Sequence, residues 1–290
     1  MFRPRGARIT HMIITTRINE VEITDISDFD LERIFECGQC FRWDADKKGV
    51  YTGIAKGAVA QLRRSGDSVF ISCGEDDFQT VWYDYFDLSR DYATIRRQLC
   101  IDEHMQKATE FGAGIRILRQ DKWEALCSFI ISQCNNIPRI KKIVDALCRL
   151  YGDSIQFGQN EYYTFPKAET LARLCTDDLV QIRCGYRAQY IIDAAKAVAS
   201  GEIDLESLAN STPQVARAKL KSLRGVGDKV ADCAMLFGLH MLDSFPRDVW
   251  VKRAVAEYYG PGFDSDVFTP YAGIAQQYIF HHARNGGNKM

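Results

Sequence analysis

Apolar positions change their spacing partway along this 290-residue chain. From residue 12 to about residue 90 they fall in short runs rich in β-branched and aromatic residues, notably 50–62 and 68–73, with turn signals at 46–49 and Ser65-Gly66-Asp67. That pattern predicts an antiparallel sheet with short helices such as 29–35. Beyond about residue 90 the period becomes helical. Asp121 with Glu124 three residues on reads as a capping start, followed by a stripe of Leu126, Phe129 and Ile130. Pro138 fits the first turn of a helix carrying Ile140, Val144 and Leu147. A helix over 188–200 should stop at Gly201, and Ser211-Thr212-Pro213 should start another. Thr269-Pro270 should open the last long helix, toward Ala283. The expected fold is α+β: a small antiparallel β-rich N-terminal domain over residues 12–110, packed on a mainly α-helical body over 111–290.

Within that body the pattern is most pointed at 219–248. A helical run with Val215, Ala218, Leu220 and Leu223 on its apolar face breaks at Gly225-Val226-Gly227 and restarts at Asp228, with Val230, Ala231, Ala234, Leu236 and Phe237. Two helices joined by three residues make a helical hairpin. Its glycines let the backbone come close to another object, and the unpaired N–H groups at the second helix's start favour an anion such as phosphate. Lys229 lies in that first turn, where the positive end of the dipole favours a neutral, nucleophilic amine. Asp248 follows Phe245-Pro246-Arg247, where a chain reversal brings a carboxylate back toward the amine. An amine and a carboxylate beside a phosphate-binding turn suggest covalent chemistry on nucleic acid. A plain G-x-G turn with a solvated lysine is the competing reading.

Composition narrows the classes. Hydrophobic content of 46% and charged content of 26% are those of an ordinary globular protein, and no apolar run approaches membrane-spanning length. A net charge of −1 argues against broad coating of nucleic acid, so contact must come from local clusters: Lys219, Lys221 and Arg224, with Arg139, Lys141 and Lys142. The ten cysteines are scattered, several in apolar helical patterns, as free thiols of a reducing compartment would be. Cys37 and Cys40 have half a zinc spacing without a second pair, and zinc is rejected there. Residues 1–11 carry three arginines and no apolar stretch, and read as a disordered leader or added tag.

Three polar stretches are unusual for helical packing. The run from Ser132 to Arg139 puts Asn135, Asn136 and Arg139 at a junction between helices, where they can cap helices or touch bases. Tyr186 and Arg187 stand at a tight turn, either packed and solvated or able to fill a gap in a base stack. Gln276 and Phe280 lie four apart on one helix face, where an amide could read a base edge beside a stacking ring.

L-x-G-V-G-x-K-V-A-D-C at 223–233 followed by P-x-D-V at 246–249 resembles the 8-oxoguanine DNA glycosylases of the helix-hairpin-helix superfamily. G-Q-x-F-R-W at 38–43, R-I-L-R-Q-D at 116–121, N-N-I-x-R at 135–139, G-Y-R-A at 185–188 and P-Y-A-G-x-A-Q at 270–276 agree in the family's order, covering about residues 20–285. The resemblance implies that Lys229 is the nucleophile and Asp248 the catalytic carboxylate. It implies that the Gly38 carbonyl accepts from the N7–H that only the oxidised base carries, that Gln276 pairs with the Watson–Crick edge, and that Phe280 and Cys233 sandwich the ring. Tyr186 resembles the wedge, and Arg139 and Arg187 the readers of the orphaned cytosine. Asn135, Asn136, Gly225, Gly227 and Trp250 would complete the DNA contacts. The implied protein is a bifunctional glycosylase and lyase acting as a monomer on duplex DNA containing oxidised guanine. It uses no cofactor and no catalytic metal, although hairpin carbonyls offer room for a structural cation. It has no membrane partner, and works in the cytoplasm of a prokaryote or the nucleus of a eukaryote. Departures are Cys134 where the family has a third Asn, Trp250 where some members have His, and Arg247 at an often apolar position; they are expected to alter DNA grip, not chemistry. The alternatives are a helix-hairpin-helix glycosylase for alkylated or other damaged bases, and a non-catalytic DNA-binding module.

Overall fold

The computed structural model describes residues 12–286, so the leader expected over residues 1–11 lies outside the described residues. Six strands, β1 (Ile13–Arg17), β2 (Glu20–Thr24), β3 (Trp43–Ala45), β4 (Tyr51–Ala55), β5 (Ala58–Ser65) and β6 (Ser68–Ser72), form one antiparallel sheet in the order β1-β2-β6-β5-β4-β3. The run over 50–62 is therefore not one strand. It folds back between the paired Ala55 and Ala58, with Lys56 and Gly57 both at positive φ, as a two-residue hairpin loop requires. The sheet buries Val21, Ile23, Leu62, Val69 and Ile71 against Phe35, Trp43, Trp82 and Phe86. Gly53 on β4 lies against Trp43, whose ring would sit 2.0 Å from any added Cβ, so only glycine fits under the indole. The short helix expected at 29–35 is Leu31–Phe35, capped by Asp30.

The helical body packs around a second core that includes Leu126, Phe129, Ile140, Val144, Ile191, Leu236 and Ile274. Asp121 caps the helix Lys122–Ile131 by accepting from the Glu124 N–H at 2.8 Å. Asn136 does the same for Ile137–Tyr151, which carries Pro138 in its first turn. The helices Arg187–Ala199 and Pro213–Lys221 follow, the latter capped by Thr212.

Two expectations need correction. The first hairpin helix buries Ala216 and Leu220, with Leu223 just beyond it, while Val215 is 54% exposed and Ala218 is also exposed. Leu220 and Leu223 face the core as expected, but Ala216 completes the i, i+4, i+7 stripe in place of Val215 and Ala218. The last helix runs Ala272–Asn285 and does not start at Thr269-Pro270. The Thr269 hydroxyl is held 3.1 Å from Asp243, and Tyr271 keeps a non-helical backbone at the cap.

Two segments join the cores. Ile115 and Ile117 belong to the helical core, whereas Leu118 belongs to the sheet core. Phe41 likewise faces the helices, and Cys40 and Trp43 the sheet. The segments interlock through Gln39. Its Nε2 donates to the carbonyls of Ile34 and Arg116 at 2.9 and 2.8 Å, and its Oε1 accepts from the Leu118 N–H at 3.0 Å. Gln120 Nε2 donates back to the Gln39 carbonyl at 2.7 Å. Arg116, 3% exposed, donates to the carbonyls of Ser27, Asp28 and Asp87, satisfying a buried guanidinium without a carboxylate bond.

Candidate active site

The hairpin turn is built from two glycines with different reasons. Gly225 sits at φ +82°, and the Tyr190 ring would lie 2.3 Å from a Cβ there. Gly227 is extended and faces open space, preceding the second helix, Asp228–Cys233, with no side chain to cap it. Val226 between them is buried and fixes the turn to the core. The second helix runs on into a π-helical turn over Ala234–Gly238. The turn thus offers bare N–H groups at a helix start.

Lys229 projects from the first turn of that helix. Its Nζ lies 2.9 Å from Ser132 Oγ and 5.3 Å from the centre of the Phe129 ring. Asp248 caps the next helix, Val249–Tyr258, by accepting from the Val251 N–H at 2.8 Å. Lys229, Asp248, Cys233, Gly38, Gln276 and Phe280 all line one cavity of about 270 Å³. That is near the lower end of the range for small-ligand clefts, and it mixes apolar walls with a few polar groups. Burial pushes the Cys233 thiol up to about 11, against the opposing pull of Lys229, so at neutral pH it is a neutral, packed thiol.

The floor of the cavity carries an unmet demand. Gln276 is 4% exposed and its Oε1 has no hydrogen-bond partner. A buried acceptor left unpaired costs about 1–3 kcal/mol, so the site holds a group that an incoming donor would satisfy. Gly38, on the same cavity, sits at φ +80°, with Phe280 3.7 Å from where a Cβ would stand. The loop around Gly38 is pinned on both sides. Gln277 Nε2 donates to the Cys37 carbonyl at 2.8 Å, and Gln39 is held in the interlock above.

The residues expected at the DNA surface fall into two groups. Tyr186 is 54% exposed, Trp250 is 41% exposed, and Arg139 is exposed with one long bond to the Arg183 carbonyl. Arg187 is 4% exposed instead, and its guanidinium donates to the carbonyls of Gln133, Cys134 and Cys184 while lying over the Tyr186 ring at 4.5 Å. In this structure it ties the 132–136 turn to the helix Arg187–Ala199. Asn136 is the helix cap described above, and Asn135 bonds the Ile131 carbonyl and the Asn136 N–H. Cys134 stands at φ +47°, a conformation that Asn adopts more readily than Cys. Lys141, grouped above with phosphate contacts, is held by Glu36, Asp44 and the Trp43 carbonyl at 2.7–3.3 Å. Lys221 pairs with Asp228 at 2.6 Å, and Arg247 packs on Phe245 and Phe263. Sequence reasoning gave no role to Ser132, Gln39 or Gln277. Ser132 stands in a run read for its amides, and the two glutamines act through partners far away in the chain.

A two-core α+β fold with a helical hairpin, and a lysine and a carboxylate on one base-sized cavity beside it, defines a DNA glycosylase of helix-hairpin-helix architecture. The N-terminal domain of 8-oxoguanine DNA glycosylase matches residues 22–126, and the HhH-GPD superfamily of base excision DNA repair proteins matches residues 127–266. The N-glycosylase/DNA lyase of Saccharomyces cerevisiae is 32% identical over 80% of this chain and 69% of its own length. A structure of MBOgg1 with a low-affinity DNA ligand superposes with a TM-score of 0.91 at 42% identity, covering 96% of this chain and 99% of that one. The Clostridium acetobutylicum 8-oxoguanine glycosylase/lyase, bound to duplex DNA with cytosine opposite 8-oxoguanine, superposes with a TM-score of 0.89 at 37% identity, covering 94% and 98%. The chain belongs to the 8-oxoguanine DNA glycosylase family, whose members are base-excision repair enzymes.

Proposed function

We propose that this protein excises 8-oxoguanine from duplex DNA through Lys229 and then nicks the strand. The observation that carries the reading is the joint presence of Lys229, Asp248 and the unpartnered Gln276 Oε1 on one cavity. The damaged nucleotide is extruded from the stack, with Tyr186 filling the gap and Arg139 facing the orphaned base. Gln276 pairs with the base edge, the Gly38 carbonyl accepts the N7–H, and Phe280 and Cys233 flank the ring. Guanine carries an acceptor at N7, so the same carbonyl disfavours the undamaged base by a mismatch worth about 1–3 kcal/mol.

Neutral Lys229 attacks C1′ of the sugar. The Nζ–C1′ bond forms as the glycosidic bond breaks, and the electron pair leaves with the base, which takes up a proton. Asp248 stabilises the positive charge growing on the sugar. Loss of the amine proton and opening of the sugar ring give a Schiff base. Removal of a C2′ proton then expels the 3′ phosphate and cuts the strand. The residues 1–11 lie outside this reading, and residues 12–110 and 111–290 act as one unit, because Gly38 from the first segment and Lys229 from the second share the cavity.

The test uses duplexes carrying 8-oxoguanine opposite each normal base, an alkylated purine, or no damage. The reading expects base release and a borohydride-trapped covalent adduct with 8-oxoguanine and neither with undamaged DNA. Release of the alkylated base without trapping would point instead to an alkylation glycosylase, and tight binding without release to a non-catalytic module.

A further inference from the structure

Ser132 sits just past the last turn of the helix Lys122–Ile131. Its hydroxyl has one proton, and Oγ donates it to the Phe129 carbonyl at 2.8 Å. The same oxygen lies 2.9 Å from Lys229 Nζ. With its proton committed to Phe129, Oγ can meet the amine only as an acceptor, so an Nζ–H must be the donor. A neutral amine has two N–H bonds and one lone pair. Holding one N–H against Ser132 stops the amine rotating and turns the lone pair away from Oγ. The Phe129 ring closes a second side. The open side is the cavity that Asp248 and Gln276 also line.

We propose that Ser132 is a positioning residue for Lys229: it accepts an N–H from the amine and so aims the nucleophilic lone pair into the cavity where the flipped sugar arrives. The proposal rests on Lys229 being the nucleophile. The Phe129 carbonyl has a part in it, because it fixes which way the hydroxyl points. A purely structural serine would only close the helix end, and its loss would leave the amine's geometry untouched.

The two roles separate in Ser132→Ala and Ser132→Thr, compared with the parent in single-turnover excision of 8-oxoguanine opposite cytosine. DNA affinity is measured for the same changes on a Lys229→Gln background, which cannot react, and folding by thermal melting. Ser132→Ala should slow base release about ten-fold or more, the size expected for one lost hydrogen bond at a reacting group, with DNA affinity within about two-fold of the parent. Borohydride trapping on abasic duplex should slow in step. Ser132→Thr, which keeps the hydroxyl, should restore the rate to within about three-fold. Parental rates in a folded Ser132→Ala protein overturn the proposal. So does a loss seen only in DNA affinity, or a folded Ser132→Thr protein as slow as the alanine variant. In each of those cases the parent still traps, so the lysine reading survives. Absence of any adduct with the parent would instead sink that reading, and this proposal with it.

Discussion

Gln276 is the residue whose physics points most directly to a ligand. Its side chain is buried on a helix that is otherwise packed, yet its acceptor is unpaired. On the proposed function, that cost is relieved when a base donates to the Gln276 acceptor. Gln276→Met removes the unmet acceptor and keeps the volume. It should raise stability by about 1 kcal/mol, seen as a higher melting temperature, while excision of 8-oxoguanine falls by at least about ten-fold. An unchanged rate would remove Gln276 from base recognition. Gly38 is constrained in the opposite way: at φ +80° any side chain would be strained, and Ile137 Cδ1 would stand a tight 3.3 Å from its Cβ.

Among the elements, the helical hairpin separates fold from function within three residues. Gly225→Ala meets both a positive φ and the Tyr190 ring, so it should destabilise the protein by roughly 1–3 kcal/mol. Gly227→Ala meets open space and ordinary backbone angles, so it should fold normally. Its added methyl stands where DNA would approach the bare N–H groups, and duplex affinity should drop several-fold. Thermal melting and a DNA-binding titration on the two variants check this; a Gly227→Ala protein that binds like the parent would contradict phosphate contact at the turn. The hairpin was legible in sequence because a helical period broke at a glycine pair and restarted at once. Its apolar face was read correctly at Leu220 and Leu223 and misread at Val215 and Ala218, since these fit a helical spacing as well as Ala216 does and only the core decides between them. The run over 50–62 hid a hairpin because Lys56-Gly57 is a weak turn signal inside apolar residues. The Gln39 interlock was illegible for a deeper reason: its bonds to Arg116, Leu118 and Gln120 span some 80 positions, which no local period encodes. Lys229, Asp248, Gln276 and Phe280 stood out by their pattern, Gly38 and Cys233 through the family motifs alone, and Ser132 needed coordinates.

At the scale of the whole molecule, pH enters through buried histidine. His281 packs beside Phe111, and burial with the nearby Arg33 and Arg284 lowers it to about 4. Its folded pKa lies below its unfolded one, so the stability it contributes is complete above about pH 6.5 and is lost as pH falls toward 4. Glu124 runs the other way: burial raises it to about 7, and its ionisation costs stability as pH rises from 4.5. The two trends overlap, so the net curve hides both. The difference between His281→Gln and the parent isolates one of them. Relative to the parent, the variant should gain stability steadily as pH is lowered from 6.5 to 4 in thermal melts. Parallel curves would show that His281 does not titrate in folding. No helix among the described residues is long and apolar enough to cross a membrane. One cavity takes Gly38 from the N-terminal segment and Lys229, Asp248 and Gln276 from the helical body.

The central claim is that Lys229 forms the bond to the sugar. Borohydride trapping on duplex containing 8-oxoguanine, followed by proteolysis and mass spectrometry of the adduct, tests it at the atom concerned. The account predicts a reduced sugar–DNA remnant on the peptide containing Lys229, and neither adduct nor base release from a folded Lys229→Gln variant. An adduct on another residue, or parental release of 8-oxoguanine by Lys229→Gln, would contradict it.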